Sequence, residues 1–366
     1  MTHQLPLQTL IALVQAAYCH EPHPSLRVSE EQWPQLYAWA VQTEVAGWLW
    51  PVVARLPVDE QPPRPVRLAW ALSAERIGEK SKLQEQTVCR VMQQVEADGW
   101  RALLLKGQAV AVCYPEPRQR LAGDIDLWIE GDRKEVVRYA RSTNPACRPV
   151  YHHVDAHIGG EEHVELHLAP SWMYGWRRNR RLQRWFEEQR SRQFAPLRTI
   201  RLADQAVAVP TIDFLQRYLL VHMYRHLFEE GLTLRRVVDY GYLLQQGMTA
   251  EECADFRCWT ERMGLKRFTG GVMYLLEVWL GMEPASLPMS GDAWSGEMLM
   301  AELLPLEERK INGKFDPSNR LLQRVSKAAR TQYRNLKYLH HYPAEVLSAP
   351  LFKVGHYLWR KMHGWT

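Results

Sequence analysis

The sequence is poor in cysteine: six in 366 residues, at positions 19, 89, 113, 147, 253 and 258, with no CxxC pair. That scatter excludes a dense disulfide framework and fits a reduced, cytoplasmic protein. No stretch reaches the ~20 apolar residues that a membrane span needs, so no membrane partner is expected. The first 22 residues hold an apolar run without a basic start. They read as an amphipathic helix and not as a secretion signal. An excess of one charge is lacking as well, since the formal net charge is only +5. Such a balance permits an anionic ligand without demanding a nucleic acid. Internal repeats and low-complexity segments are missing.

Tryptophan is abundant, with 15 copies. Most of these should pack cores and grooves, because the indole buries a large area. Hydrophobic residues at 46% and charged residues at 24% describe an ordinary globular chain with material for two or three packed subdomains. Three regions separate. Residues 1–99 read as helical, with an apolar stripe at Trp33, Leu36, Tyr37 and Trp39. A proline-rich breaker covers 56–65, and a long helix runs from Pro65 toward Ala97. In residues 100–205, the stretch 100–105 reads as a short buried strand, 125–129 and 164–168 alternate in strand fashion, and a helix covers 132–141. Residues 206–366 turn helical again. Thr211 caps a helix that Gly231 ends, Thr233 caps the next, and a basic, aromatic tail has a break at Pro343 and a last stretch from Phe352 to Met362. The expected fold class is α+β, a small mixed sheet embedded in helices from both ends.

Chemistry concentrates in Lys106-Gly107 and in Gly123-Asp124-Ile-Asp126-Leu-Trp-Ile129. Along a strand, side chains alternate faces, so Asp124, Asp126 and Trp128 share one side. On the segment 163–168 the same alternation puts Glu165 with His163 and His167. Two adjacent strands would then collect three carboxylates on one surface. Like charges so close raise one another's pKa unless a cation compensates. Mg²⁺, or Mn²⁺ in its place, takes oxygen ligands and shares them with substrate phosphates. A pair of such ions suits in-line displacement at phosphorus. Gly107 lets backbone approach a phosphate, and Lys106, Arg118 and Arg120 offer positive charge. Each piece alone is commonplace, since strand carboxylates are usually just solvated. Their ordered conjunction carries the reading.

At these residues a resemblance appears. LLLKGQAVAVCYPEP, an Arg, GDIDLWI and then VELH resemble an uncharacterised nucleotidyltransferase group of the DNA polymerase β-like superfamily. The motifs cover about residues 103–168, and HMYRHLFEEGLTLRRVVDYGYLL at 222–244 is similar to the helical region that follows them in the family. The resemblance implies that Asp124 and Asp126 bind both metals. It implies that Glu165 binds the catalytic metal and helps activate an acceptor hydroxyl. The nucleoside triphosphate, ATP among the possibilities, would be held by Lys106, Gly107, Gln108, Arg118, Arg120 and Gly123. Here the family's Gly-Ser turn is Gly107-Gln108, without the hydroxyl, and 17 positions separate Gly107 from Asp124. Lys106 and Arg120 are expected to take over the work of that hydroxyl.

Other signals are weaker. His222 and His226 stand i, i+4 on one helix face, where packing against the sheet is the plainer reading. Arg235, Arg236 and Asp239 could reach the nucleotide. His152, His153, Asp155, His157, His163 and His167 gather around Glu165 and leave a zinc site as an alternative. Arg177 to Arg192 interleaves arginines with Trp185 and Phe186, which keeps a nucleic-acid role possible. The expected function is Mg²⁺-dependent transfer of a nucleoside monophosphate to an unknown hydroxyl-type acceptor, a small molecule or a protein. A non-catalytic nucleotide-sensing scaffold and an RNA-modifying nucleotidyltransferase are the alternatives.

Overall fold

In the computed structural model, the structure describes residues 4–21, 26, 28–195, 198–303 and 329–362. Part of the basic tail therefore lies outside the described residues. Helices α1 (Gln4–Tyr18), α2 (Trp33–Gln42) and α3 (Ala46–Arg55) come first, then the 34-residue α4 (Arg64–Ala97). Gly99, at φ 84°, turns the chain out of α4 into strand β1 (Ala102–Leu104). A single helical turn, α5 (Gln108–Ala111), precedes β2 (Ile125–Ile129). Helix α6 (Arg133–Thr143) starts at a capping box in which Asp132 accepts from the N–H of Lys134 and Glu135. Then follow β3 (His153–Ile158), β4 (Glu161–His167) and α7 (Trp176–Phe194). A hairpin of β5 (Arg198–Leu202) and β6 (Gln205–Val209) leads to α8 (Ile212–Glu229) and α9 (Leu234–Leu244). Helices α10 (Ala250–Met263), α11 (Lys266–Leu280), α12 (Ala293–Leu303) and α13 (Pro343–Met362) follow among the described residues.

The main sheet has the order β1-β2-β4-β3, with β2 and β4 parallel and the two outer pairs antiparallel. The fold is thus α+β, as the alternation implies. One face of the sheet is apolar. Ile125, Leu127, Val164 and Leu166 pack there with Val88, Val91 and Val95 of α4 and with Val136, Val137 and Ala140 of α6. The other face carries Asp126 and Trp128, and α8 covers it. Trp128 stacks on Phe214 at 5.4 Å, and the guanidinium of Arg190 sits over the indole at 5.4 Å. Helices from both ends of the chain share one apolar core with this face. Gln15 of α1, for example, donates to the carbonyl of Val278 in α11 at 2.9 Å.

Two elements differ from the sequence reading. The β5–β6 hairpin turns at Ala203-Asp204, with Ala203 at φ 47°. That pair lacks the Gly or Asn that marks most such turns, so nothing in the local sequence signals the reversal. Pro343 opens a helix instead of breaking one, and the helix runs on through Pro350. Proline at 350 deprives the Val346 carbonyl of its i+4 donor. The side chain of Gln332 donates to that carbonyl at 3.0 Å and closes the gap. No helix among the described residues is long and apolar enough to cross a membrane.

Thr211 fastens the start of α8. Its hydroxyl accepts from the Phe214 N–H at 3.3 Å and from the Gln193 amide at 3.2 Å. Thr211→Ala should cost about 1 kcal/mol, the usual worth of an N-cap hydroxyl, measured as a shift in urea midpoint at constant slope.

Candidate active site

The parallel register places Asp126 directly opposite Glu165, and the antiparallel register places Asp155 on the other side of Glu165. Lys106, at the end of the extended segment after β1, puts Nζ 3.1 Å from Asp126 Oδ1. His167 Nε2 lies 2.9 Å from the same oxygen and 3.4 Å from Glu165 Oε2. Asp126 has no surface in water, and its Oδ2 accepts no hydrogen bond among the described residues. Burial alone would push this carboxyl up. The Lys106 charge and the His167 hydrogen bond outweigh it and hold Asp126 well below the usual carboxylate range. Burial works against His167 as a cation, yet its bonds to Asp126 and Glu165 raise it above an ordinary imidazole. Glu165 is likewise desolvated but net lowered, chiefly through His167. Asp124 moves the other way: burial pushes it up, Lys106 pulls it down, and Asp126 and Glu165 add to the rise.

A cleft of about 460 Å³ opens from this sheet face toward α8 and α9. Asp124, Glu165, Lys106, Gly107 and Gly123 line its sheet end, and Arg225, Arg235 and Arg236 reach in from the helices. Gly107 adopts φ 67°, which an L side chain would hold only under strain, although a Cβ there would have room. Arg120 lines the cleft too, but its guanidinium is engaged: Nε and Nη2 donate to both Asp239 oxygens at 2.6 and 2.8 Å, and the Tyr114 hydroxyl donates to the same carboxylate. Arg118 is exposed outside the cleft, 3.5 Å from Glu85. Gln108 is buried and donates to Gln84 at 3.3 Å, also off the cleft.

His222 and His226 line the cleft with ring centroids 4.3 Å apart. His152 and His153 line it as well, whereas the exposed His157 and His163 do not. Two groups bring one ligand atom from each member within 4.8 Å of the others: Asp126, Glu165 and His167, and His152, His153 and Glu165. None of the arginines of 177–192 lines the cleft: Arg178 meets Tyr224 and Glu345, Arg181 donates to the Arg262 carbonyl, and Arg190 lies over Trp128. Sequence reasoning passed over Glu44, Glu229 and Glu230, which line the cleft as counter-charges. Glu44 pairs with Arg235 at 2.8 Å and Glu229 with Arg225 at 3.5 Å. The i, i+4 spacing of Arg225 with Glu229 and of His226 with Glu230 was the available signal. Glu44 left none, because its partner is 191 residues away.

A family profile described as uncharacterised nucleotidyltransferase matches residues 29–281, more than half of the chain. This chain belongs to that family. Its profile spans the sheet, the cleft and helices α8 to α11. A crystal structure of an antigenic nucleotidyltransferase-like protein from Paracoccidioides brasiliensis aligns over 48% of this chain and 78% of its own, at 14% identity and a TM-score of 0.28. No curated protein matches the sequence.

Two outcomes follow from these contacts. Asp239→Asn leaves the buried Arg120 cation without its counter-charge, and breaking such a pair costs about 3–5 kcal/mol. Chemical denaturation should show a loss of that order. His226 is pushed down to about 4 by burial, with Glu230 opposing and Arg236 and Arg225 adding to the fall. Its folded pKa lies below the unfolded one. The neutral ring therefore contributes stability that is complete above pH ~6.5 and is lost as pH falls through ~4. Stability measured from pH 7 to pH 4 should fall less steeply in His226→Gln than in the wild type. Identical slopes would show that His226 is not buried neutral.

Proposed function

We propose that this nucleotidyltransferase-family protein moves a nucleoside monophosphate from a nucleoside triphosphate onto a hydroxyl-type acceptor, with Mg²⁺ or Mn²⁺ at Asp124, Asp126 and Glu165. The observation that carries this reading is the register of β2 against β4, which faces Asp126 with Glu165 beneath an arginine-lined cleft. The donor set fits a hard divalent cation. Asp126 and Glu165 bring ligand oxygens together with His167 within 4.8 Å, Asp124 lines the same cleft, and one buried oxygen, Asp126 Oδ2, has no partner among the described residues. When bound, the metal supplies charge stabilisation at phosphorus and at the attacking oxygen.

The chain's own residues supply the rest. Lys106, its side chain only 20% exposed beside Asp126, and the three cleft arginines neutralise a polyphosphate. Gly107 and Gly123 keep the approach clear of side chains. Glu165 is the residue assigned to the acceptor. Its side chain is 25% exposed into the cleft and stays ionised near neutral pH, ready to orient the hydroxyl and take its proton. Arg120 acts here as a positioning residue, because Asp239 holds its guanidinium and ties the loop before β2 to α9.

A second reading draws on one specific contact. Lys106 and His167 already neutralise Asp126. That arrangement would suit a metal-free site that senses nucleotide without turning it over.

The two readings separate by experiment. A non-hydrolysable triphosphate with Mg²⁺ should raise the melting temperature by mass action, and EDTA should abolish most of the gain. Equal stabilisation with and without EDTA favours the sensor. Asp126→Asn should cut transfer, or slow triphosphate hydrolysis as its proxy, by ~10³-fold or more, equivalent to ~4 kcal/mol of barrier. Equal rates in wild type and Asp126→Asn would end the catalytic reading.

A further inference from the structure

Helix α13 presents an apolar stripe that nothing described covers. Leu347, Leu351, Val354, Leu358 and Met362 are each more than half exposed, with Leu351 at 76% and Met362 at 78%. Their spacings of four, three, four and four residues put them on one side of the helix. A monomeric soluble protein rarely leaves so continuous an apolar strip in water.

The stripe is held rigidly outward, because the opposite side of α13 is anchored. Glu345 accepts from the N–H groups of Tyr174 and Gly175 at 2.7 and 3.1 Å. Phe352 stacks on Trp172, with ring centroids 4.5 Å apart. Trp359 covers the guanidinium of Arg133 at 5.1 Å. The stripe is therefore not a core face that the rest of α13 leaves free to turn inward.

Charge selects the occupant. The described stretch 329–362 holds six Lys and Arg against one Glu, on a chain whose whole net charge is only +5. That single Glu is Glu345, which the anchor buries. Beside α13, the neighbouring helix α7 adds a second cationic element. Trp176, 66% exposed, lines a shallow groove with Arg180, Arg184 and Phe352, where Glu187 is the one acid. An apolar stripe, a flanking exposed indole and a cationic surround match the boundary of an anionic bilayer, where leucines enter the acyl edge and basic residues meet headgroups. A second copy of the chain fits less well, since two such cationic stripes repel. Nucleic acid fits less well, since it offers the leucines nothing.

We propose that α13, with the Trp176 end of α7, docks this protein peripherally on an anionic lipid surface. The sequence reading looked for spanning segments, and a surface helix escapes that search. The docking stands independently of the proposed transfer chemistry.

The test uses the full chain and vesicles of phosphatidylcholine with or without about 30% phosphatidylserine. Co-sedimentation should require the anionic lipid and should weaken at high salt. Leu351→Glu with Leu358→Glu should reduce partitioning at least ~10-fold while leaving the melting temperature and triphosphate stabilisation unchanged, because both side chains are exposed. Should that double variant melt early, Leu347→Ser with Met362→Ser is expected to give the same loss of partitioning. Three results would each overturn the proposal: no binding to anionic vesicles; binding that neither variant alters; or a wild-type dimer in solution that the leucine variants turn into a monomer. RNA binding that depends on the same leucines would also overturn it.

Discussion

A carboxylate with no surface in water must be neutralised within a few ångströms or it will take a proton. Asp126 meets that demand with Lys106 and His167, and the rest of the site is arranged around this exchange. Lys106 can reach only because Leu105 continues the pairing with β2, its N–H donating to the Asp126 carbonyl at 2.9 Å, before Gly107 turns the chain away. His167 can reach only because β4 runs parallel to β2, two residues beyond Glu165. Parallel pairing needs a long crossover, and α6 with β3 provides it.

The same constraint explains why the sheet is so well covered. A buried charged cluster is tolerable only where water is excluded and the surrounding groups cannot drift. Trp128 lies two residues along from Asp126 on the same side, clamped between Phe214 and Arg190. Ile125, Leu127 and their neighbours seal the other face against α4 and α6. Rigid apolar packing below and a half-open cleft above let the acids differ in character. Asp126 is sealed and held ionised, Glu165 is ionised and reachable, and Asp124 at the mouth is raised.

The cleft wall opposite the sheet is nearly balanced in charge. Arg225, Arg235 and Arg236 are matched by Glu229, Glu44 and Glu230. A ligand with several negative charges would compete with those glutamates for the arginines. Arg120 is excluded from that competition. Its bidentate pair with Asp239 is sealed, and the pair ties the segment before β2 to α9.

Local pattern was enough to read strands at 125–129 and 164–168 and the cap at Thr211, and to nominate the candidate acids, because side-chain alternation and capping depend on neighbours a few residues apart. The family-bearing motifs were legible for the same reason. What the sequence could not decide was which groups those residues meet. Nothing local told that Arg120 would be consumed by Asp239, 119 residues away, or that Glu44 would enter the cleft. The Ala203-Asp204 reversal carried no turn signal, and the break expected at Pro343 is the start of a helix that runs on through Pro350, where Gln332 supplies the missing donor. Tertiary structure settled these points because a buried charge, an orphaned carbonyl or an uncovered apolar stripe is defined only by what the distant chain brings, or fails to bring, against it.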